Sequence, residues 1–278
     1  MPLILKLHVK GCERLKTDFD MIHHDYSLKE DMIIYPISDV HLGSKEHLNK
    51  EWIKFCNNIL SKDNVFVTLG GDLINNATRS SVSNVFEDTM RPSEQKKIMA
   101  EMLKPLAEAG RILCAVSGNH ERRSGKDADD DPMYDIMCKL DLEDVYRENL
   151  AVVKLRFGRK DNNGKTNPTY CFAVTHGAGG GMYTGASVNR NERFGYGIDG
   201  IDAIIVGHSH KGAITKPIKL FVDKNNNKIS FKQFVTVSTV PWLAYGGYAL
   251  SKMLLPATFG DPQVIKLYRY QKKIELTW

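Results

Sequence analysis

Val116-Ser117-Gly118-Asn119-His120-Glu121 stands near the middle of the chain, directly after the apolar run Ile112-Leu113-Cys114-Ala115-Val116. The run predicts a buried strand. Gly118 then permits a sharp turn and a close backbone approach. Asn119 offers a neutral amide oxygen, a hard ligand. His120 offers an imidazole that holds or donates a proton near neutral pH. Glu121 is placed to orient a neighbour or to hold a cation.

Four more apolar runs end in the same style. They lead into Asp39-Val40-His41, Gly70-Gly71-Asp72, Thr175-His176-Gly177 and Gly207-His208-Ser209-His210. In an extended segment, residues two apart point the same way, so Asp39 and His41 are able to grip one ion together. One such group after a strand is ordinarily a turn residue or a cap. Five of them at five strand ends point to one shared metal site.

The chain has 278 residues, 42% of them hydrophobic and 26% charged, which fits a globular protein with a sizeable core. A net charge of +5 leans towards anionic partners but is too mild to diagnose nucleic-acid binding. Five cysteines stand at positions 12, 56, 114, 138 and 171, with no C-x-x-C pair. That pattern predicts a reducing compartment and no disulfide framework, with Cys56 and Cys114 in the core. No signal-peptide pattern and no run long enough to span a bilayer stand in the sequence, so the expected location is cytoplasmic.

In chain order, strands are expected over 2–9 and 31–38, joined by a polar link over roughly 11–30. A helix over 45–61 places Leu48, Trp52, Phe55, Cys56, Ile59 and Leu60 on one face. Residues 64–69 predict a strand covered on both faces. A polar loop over 75–92 precedes a helix that follows Pro92 and stops near Gly110. Residues 122–131, rich in both acids and bases, predict a solvated loop, and 132–140 a short helix. Strands over 150–157 and 169–175 flank a turn at 161–164. The glycine-rich stretch 177–200 fits either a mobile lid or a plain surface loop. Strands follow at 201–206, 213–222, 228–239 and 263–275. The expected fold is α/β, two packed β-sheets flanked by helices with the metal site at one rim, in a single domain over 1–278.

The donor set mixes carboxylate, amide oxygen and imidazole and contains no thiolate, which favours Mn, Fe, Zn or similar ions over a structural cysteine site. Seven ligands suit two ions, and two ions bridged by a carboxylate and a hydroxide fit hydrolysis of phosphate esters.

The order Asp-x-His, Gly-Asp, Gly-Asn-His-Glu, His, Gly-His-x-His resembles the calcineurin-like metallophosphoesterase superfamily, with all five motifs intact between residues 39 and 210. The resemblance implies that Asp39, His41 and His210 hold one metal, that Asn119, His176 and His208 hold the second, and that Asp72 bridges them. It implies that His120 contacts the substrate phosphate and protonates the leaving oxygen, with Glu121 in support. The second motif, Gly71-Asp72-Leu73-Ile74-Asn75-Asn76, lacks the second Asp and the Arg of the serine/threonine phosphatases and is closer to the phosphodiesterase and DNA-repair-exonuclease branches, of bacterial or phage type.

The expected activity is a dinuclear-metal phosphodiesterase acting on a nucleotide or nucleic acid through a metal-bridging hydroxide, with Mn²⁺ first among Fe, Zn, Ni and Mg. The alternatives are a phosphomonoesterase acting on a small phosphate and, less favoured, a non-catalytic binding scaffold. Arg122, Arg123, Arg190 and Arg193 are candidates for phosphate oxygens, with plain solubilising charges the preferred reading of them. Lys266 to Lys273 interleaves bases with aromatics, which fits a single-strand binder or an exposed strand face. Trp242 and Tyr245 fit either the core or a base pocket. No membrane partner is expected, and a homodimer is left open.

Overall fold

Central strands buried at every position, among them Val65–Leu69, Ile112–Val116 and Ala203–Val206, need cover on both faces, and two packed sheets with outer helices provide it. The computed structural model describes residues 17–26, 28, 30–79, 81, 85–157, 168–256 and 262–278. Its strands and helices, in chain order, are β1 (Ile22–Tyr26), β2 (Met32–Ile37), α1 (Asn49–Leu60), β3 (Val65–Leu69), α2 (Pro92–Glu108), β4 (Ile112–Val116), α3 (Glu121–Ala128), α4 (Pro132–Lys139), β5 (Tyr146–Arg147), β6 (Leu150–Phe157), β7 (Thr169–Thr175), α5 (Thr184–Tyr196), β8 (Ala203–Val206), β9 (Ala213–Thr215), β10 (Ile218–Asp223), β11 (Lys228–Gln233), β12 (Val235–Ser238), α6 (Gly247–Ser251), β13 (Val264–Leu267) and β14 (Ile274–Thr277).

One sheet has the order β14-β13-β2-β3-β4-β5 and the other β1-β6-β7-β8-β12-β9. In the first, β2 to β5 are parallel and β13 and β14 antiparallel. In the second, β7, β8 and β12 are parallel neighbours. The sheets pack face to face through Met32, Ile34, Phe66, Leu113, Val153, Leu155, Phe172 and Ile205. The opposite face of the first sheet, with Val67, Leu69 and Ile112, is covered by Trp52, Ile59, Met99, Leu103, Met133 and Ile136 of α1, α2 and α4. Each buried residue of this size contributes about 1.5–3 kcal/mol through removal from water. α5 covers the far side of the second sheet, where Phe234 packs against Ala173 and Ile204. The expected two-sheet sandwich with flanking helices is what forms.

Parallel pairing positions the site. β2, β3 and β4 run the same way, as do β7 and β8, so the loops after each gather at one rim, the usual ligand-binding edge of such sheets.

Several expectations are corrected. The link over 11–30 contains β1, parallel to β6. Residues 122–131 are not a loop: most form α3, which turns Glu121 and Ser124 inward. The glycine-rich stretch 177–200 holds the helix α5, whose buried positions are Ser187, Asn191 and Gly195. The strand over 263–275 is a hairpin, β13 and β14, bent where the Tyr170 hydroxyl meets the carbonyls of Tyr268 (2.7 Å), Gln271 (2.8 Å) and Lys273 (3.0 Å). The strands around 223–227 divide: β9 and β12 join the second sheet, and β10 and β11 stand apart as a hairpin. The strand over 2–9 and the turn over 161–164 lie outside the described residues. No helix among the described residues is long and apolar enough to cross a membrane.

Candidate metal centre

Five of the candidate ligands leave their strands in the left-handed region: Asp39 (φ 54°), His41 (49°), Asp72 (52°), His208 (66°) and His210 (53°). Each such non-glycine residue costs of order 1–3 kcal/mol, so surrounding bonds must hold it. Asp39 N donates to Gly71 O at 3.0 Å and His41 N to Asp72 O at 3.0 Å. His208 N donates to Asp39 Oδ2 at 3.0 Å, and His120 N to Asp72 Oδ1 at 2.8 Å. The loops after β2, β3, β4 and β8 are thereby tied to one another.

Glycine is required where two of these loops touch. A Cβ on Gly118 would lie 2.0 Å from Asp72 Oδ1, and one on Gly71, whose φ is +85°, would lie 2.4 Å from Gly118 N.

The seven residues converge. His210 Nε2 lies 3.1 Å from Asp39 Oδ1 and 3.2 Å from His41 Nε2. His176 Nε2 lies 3.2 Å from Asp72 Oδ2 and 3.0 Å from Asn119 Oδ1, and His208 Nδ1 lies 2.7 Å from the same amide oxygen. Asp39, His41 and His210 present donor atoms within 4.8 Å of one another, and so do Asp72, His176 and His208. Asp72 is therefore central, and His120 Nε2 stands 3.8 Å from its Oδ2.

This packing fits cations. Ring nitrogens of His41 and His210 lie 3.2 Å apart, and those of His176 and His208 converge on the Asn119 amide oxygen, so imidazole, amide and carboxylate donors crowd together as they do around a metal. His41 Nδ1 is also buried without a hydrogen-bond partner. His176 Nδ1 donates to Gly70 O at 2.8 Å, which fixes the ring and aims Nε2 at Asp72, the arrangement metal-binding imidazoles ordinarily show.

The electrostatics are those of two carboxylates among imidazoles. Burial raises the Asp72 carboxyl, but His120, His176 and His41 outweigh it and hold the group well below the usual range. Burial lowers the His176 imidazole, and Asp72 and Asp39 outweigh that and carry it up to about 10. Burial, followed by repulsion from His120, holds His41 well below its ordinary value.

Glu121 has a different place from the one expected. It is fully buried, and its carboxylate accepts from four backbone N–H groups: Asp72 (2.9 Å) and Gly118 (2.9 Å) on Oε2, Leu73 (2.7 Å) and Ile74 (3.3 Å) on Oε1. It clasps the loop after β3 to the loop after β4. Burial and then the Asp72 charge push its carboxyl upward, to about 7, while the His176 imidazole and the Asp72 N–H oppose that shift. The His120 ring is held by other groups. Its Nδ1 donates to Asn75 O at 2.7 Å, and Arg123 Nη2 donates to its Nε2 at 2.9 Å.

A cleft of about 690 Å³ opens over the cluster. Arg123 and Arg190 line it, as do Lys45 and Lys211. Arg122 and Arg193 do not: the Arg122 guanidinium donates back to Ser117 O at 2.7 Å, and Arg193 is an exposed residue of α5 outside the cleft lining. Arg190 reaches across to Gly179 O (3.2 Å) and Gly180 O (3.0 Å). Arg123 is the stronger candidate, and its signal was spacing: three residues after His120, one helical turn, it meets the same imidazole. Tyr245 lines the cleft, whereas Trp242 is core, 5.1 Å from Trp52 ring to ring. In the C-terminal stretch, Lys266 and Lys273 lie over Tyr268 and Arg269 over Tyr270, so these bases and aromatics pair with one another.

Comparison with known proteins agrees with this geometry. The model of the calcineurin-like phosphoesterase family matches residues 32–212, which contain all seven converging residues and His120. No curated protein matches the chain. Among solved structures, the chain is similar to a conserved uncharacterized protein from Streptococcus pneumoniae TIGR4, a predicted phosphoesterase, at 10% identity and a TM-score of 0.35, over 90% of this chain and 99% of that one.

Proposed function

The chain belongs to the calcineurin-like phosphoesterase family, and we propose that within it the protein is a phosphodiesterase acting on a nucleotide or a nucleic acid. Metal-dependent hydrolysis of phosphoric esters is the chemistry of the family. Asp39, His41 and His210 would hold one divalent ion, Asn119, His176 and His208 a second, and Asp72 would be shared. The all-oxygen-and-imidazole donor set is suited to Mn²⁺, with Fe, Zn, Ni or Mg as other occupants. Bound ions supply Lewis-acid charge to the phosphoryl oxygens.

The chain's own groups do the rest. His120 Nδ1 keeps its proton for Asn75 O, so a proton delivered to the leaving oxygen would have to be taken up at Nε2, the atom that accepts from Arg123 in this structure. Arg123, beside that atom, and Arg190, which also lines the cleft, would serve the non-bridging oxygens of the substrate.

The observation that carries the diester reading is the cleft. Beyond the ligand cluster it continues along Met182, Leu243, Tyr245, Leu254 and Leu255, an apolar wall that a lone phosphate would not use. Its volume of about 690 Å³ falls within the range of sites for drug-sized ligands. Tyr245, 39% exposed, offers a ring face for a base.

The test is paired hydrolysis of bis-nitrophenyl and mono-nitrophenyl phosphate with Mn²⁺, and again after chelation. The diester should be preferred, and chelation should abolish the reaction. A preference for the monoester would replace this reading with the phosphomonoesterase. Metal binding without hydrolysis of either ester or of a dinucleotide would favour a binding scaffold.

A further inference from the structure

The hairpin of β10 and β11 belongs to neither large sheet. Its register pairs Ile218 with Gln233, Leu220 with Phe231 and Val222 with Ile229, and directly paired residues share a face. That face is in solvent. Ile218 is 56% exposed, Leu220 68%, Val222 60%, Ile229 72% and Phe231 76%. The other face carries Lys219, Phe221, Asp223, Lys228, Ser230 and Lys232; its β10 residues are partly covered, while β11 is exposed on both faces, and Lys219 pairs with Asp199 at 3.0 Å and Lys232 lies over the Phe221 ring.

The amphipathic pattern is therefore inverted. A strand ordinarily turns its apolar face to a core and its charges to water. An isolated two-stranded hairpin is at best marginally stable in water unless its apolar face packs on something. Contiguous exposed apolar surface of this kind marks an interaction site.

We propose that this face is the twofold interface of a homodimer. Three observations select a second copy as its occupant. The face carries no formal charge, only apolar side chains and Gln233, so two chains that each bear a net charge of +5 meet there without like charges in contact. Its central pair, Leu220 and Phe231, is flanked by apolar pairs or part-apolar pairs on both sides, which suits a surface that must be complementary to itself. The area is also sufficient. Five large side chains at these exposures leave roughly 600 Å² per copy, so two copies bury about 1,200 Å² in total, the lower edge of a stable specific interface. Tyr196 Oη of α5 donates to Ile218 O at 3.3 Å and ties the base of the hairpin to the second sheet's helix.

The experiment is sedimentation equilibrium on the full chain over about a hundredfold range of concentration. The wild type should reach twice the 31.4 kDa chain mass. Leu220→Glu and Phe231→Glu should each raise the dimer dissociation constant at least about 30-fold, as loss of a central interface residue does. Phe231→Ser, a milder change, should act in the same direction. Ser230→Glu, on the opposite face, should leave the mass unchanged. Far-ultraviolet circular dichroism of each variant should match the wild type. A wild type that is monomeric at every concentration overturns the proposal, and so does a folded Phe231→Glu variant that dimerises as well as the wild type.

Discussion

Replacing Glu121 by Gln separates two roles for a buried carboxylate. In the structure it accepts four backbone N–H groups from the loops after β3 and β4 and makes no bond to the His120 ring. An amide in the same place turns its NH₂ towards either Asp72 N and Gly118 N or Leu73 N and Ile74 N. Two donors then face a donor. Hydrogen bonds to a charged acceptor are worth about 1.5–3 kcal/mol each, so the gross loss is about 3–6 kcal/mol. Removing a buried charge beside Asp72 offsets part of this. A net destabilisation of about 2 kcal/mol remains, a large share of a typical domain stability of about 5–15 kcal/mol. Urea unfolding followed by circular dichroism measures it. With a slope near 3 kcal/mol per molar, the midpoint should fall by about 0.7 M. The apo protein should show the full effect, because the clasp does not depend on bound ions. A Glu121→Gln variant with a wild-type midpoint but reduced turnover would refute this reasoning and return Glu121 to a role in supporting the catalytic histidine.

Other consequences follow from particular contacts. His120→Ala should retain its metal, measured by plasma mass spectrometry, while diester turnover falls about 10²–10⁴-fold, the usual contribution of a positioned general acid; surviving turnover would remove the proton role from His120. Gly118→Ala should displace Asp72, because the added Cβ would sit 2.0 Å from its Oδ1, and both metal content and thermal midpoint should fall. His24 is held below its ordinary value of 6.5, first by burial, with its bond to Leu113 O at 2.8 Å opposing. The unfolded chain therefore binds this proton more readily, so stability should be level above pH 6.5 and should decline as the pH drops through that value. His24→Gln should flatten that slope in urea midpoints taken across the same window, and an unchanged slope would assign the dependence elsewhere.

What could be read from the sequence was what periodicity and strand-end chemistry encode. Runs such as Val65–Leu69 and Ile112–Val116, buried at every position, announce themselves as central strands. The residues after them carry the donors, so the rim and its chemistry were visible from spacing alone. The elements that were missed hide their faces. α3 buries Glu121 and Ser124, because it packs on a polar loop where Asn76 Nδ2 donates to His120 O (2.7 Å) and Ser124 Oγ (2.9 Å), so no apolar stripe marks it. α5 buries Ser187, Asn191 and Gly195, a stripe of small residues at four-residue spacing. Gly195 lets that helix lie against Phe234, whose ring would be 2.3 Å from an added Cβ. β1 alternates Ile22 with exposed polar neighbours, too short a signal to separate from a polar link. Arg122 and Arg123 are adjacent in sequence, and only the helical turn decides that the second faces the cleft.

The central claim is that two adjacent donor sets share Asp72 and hold a pair of ions. Its most direct test is a calorimetric titration of the metal-free protein with Mn²⁺, paired with the Asp72→Asn variant and with electron paramagnetic resonance of the loaded sample. The account predicts two equivalents per chain, a spin-coupled pair in the spectrum, and loss of that coupling in the variant. A single equivalent with an isolated-ion spectrum, unchanged by Asp72→Asn, would contradict it.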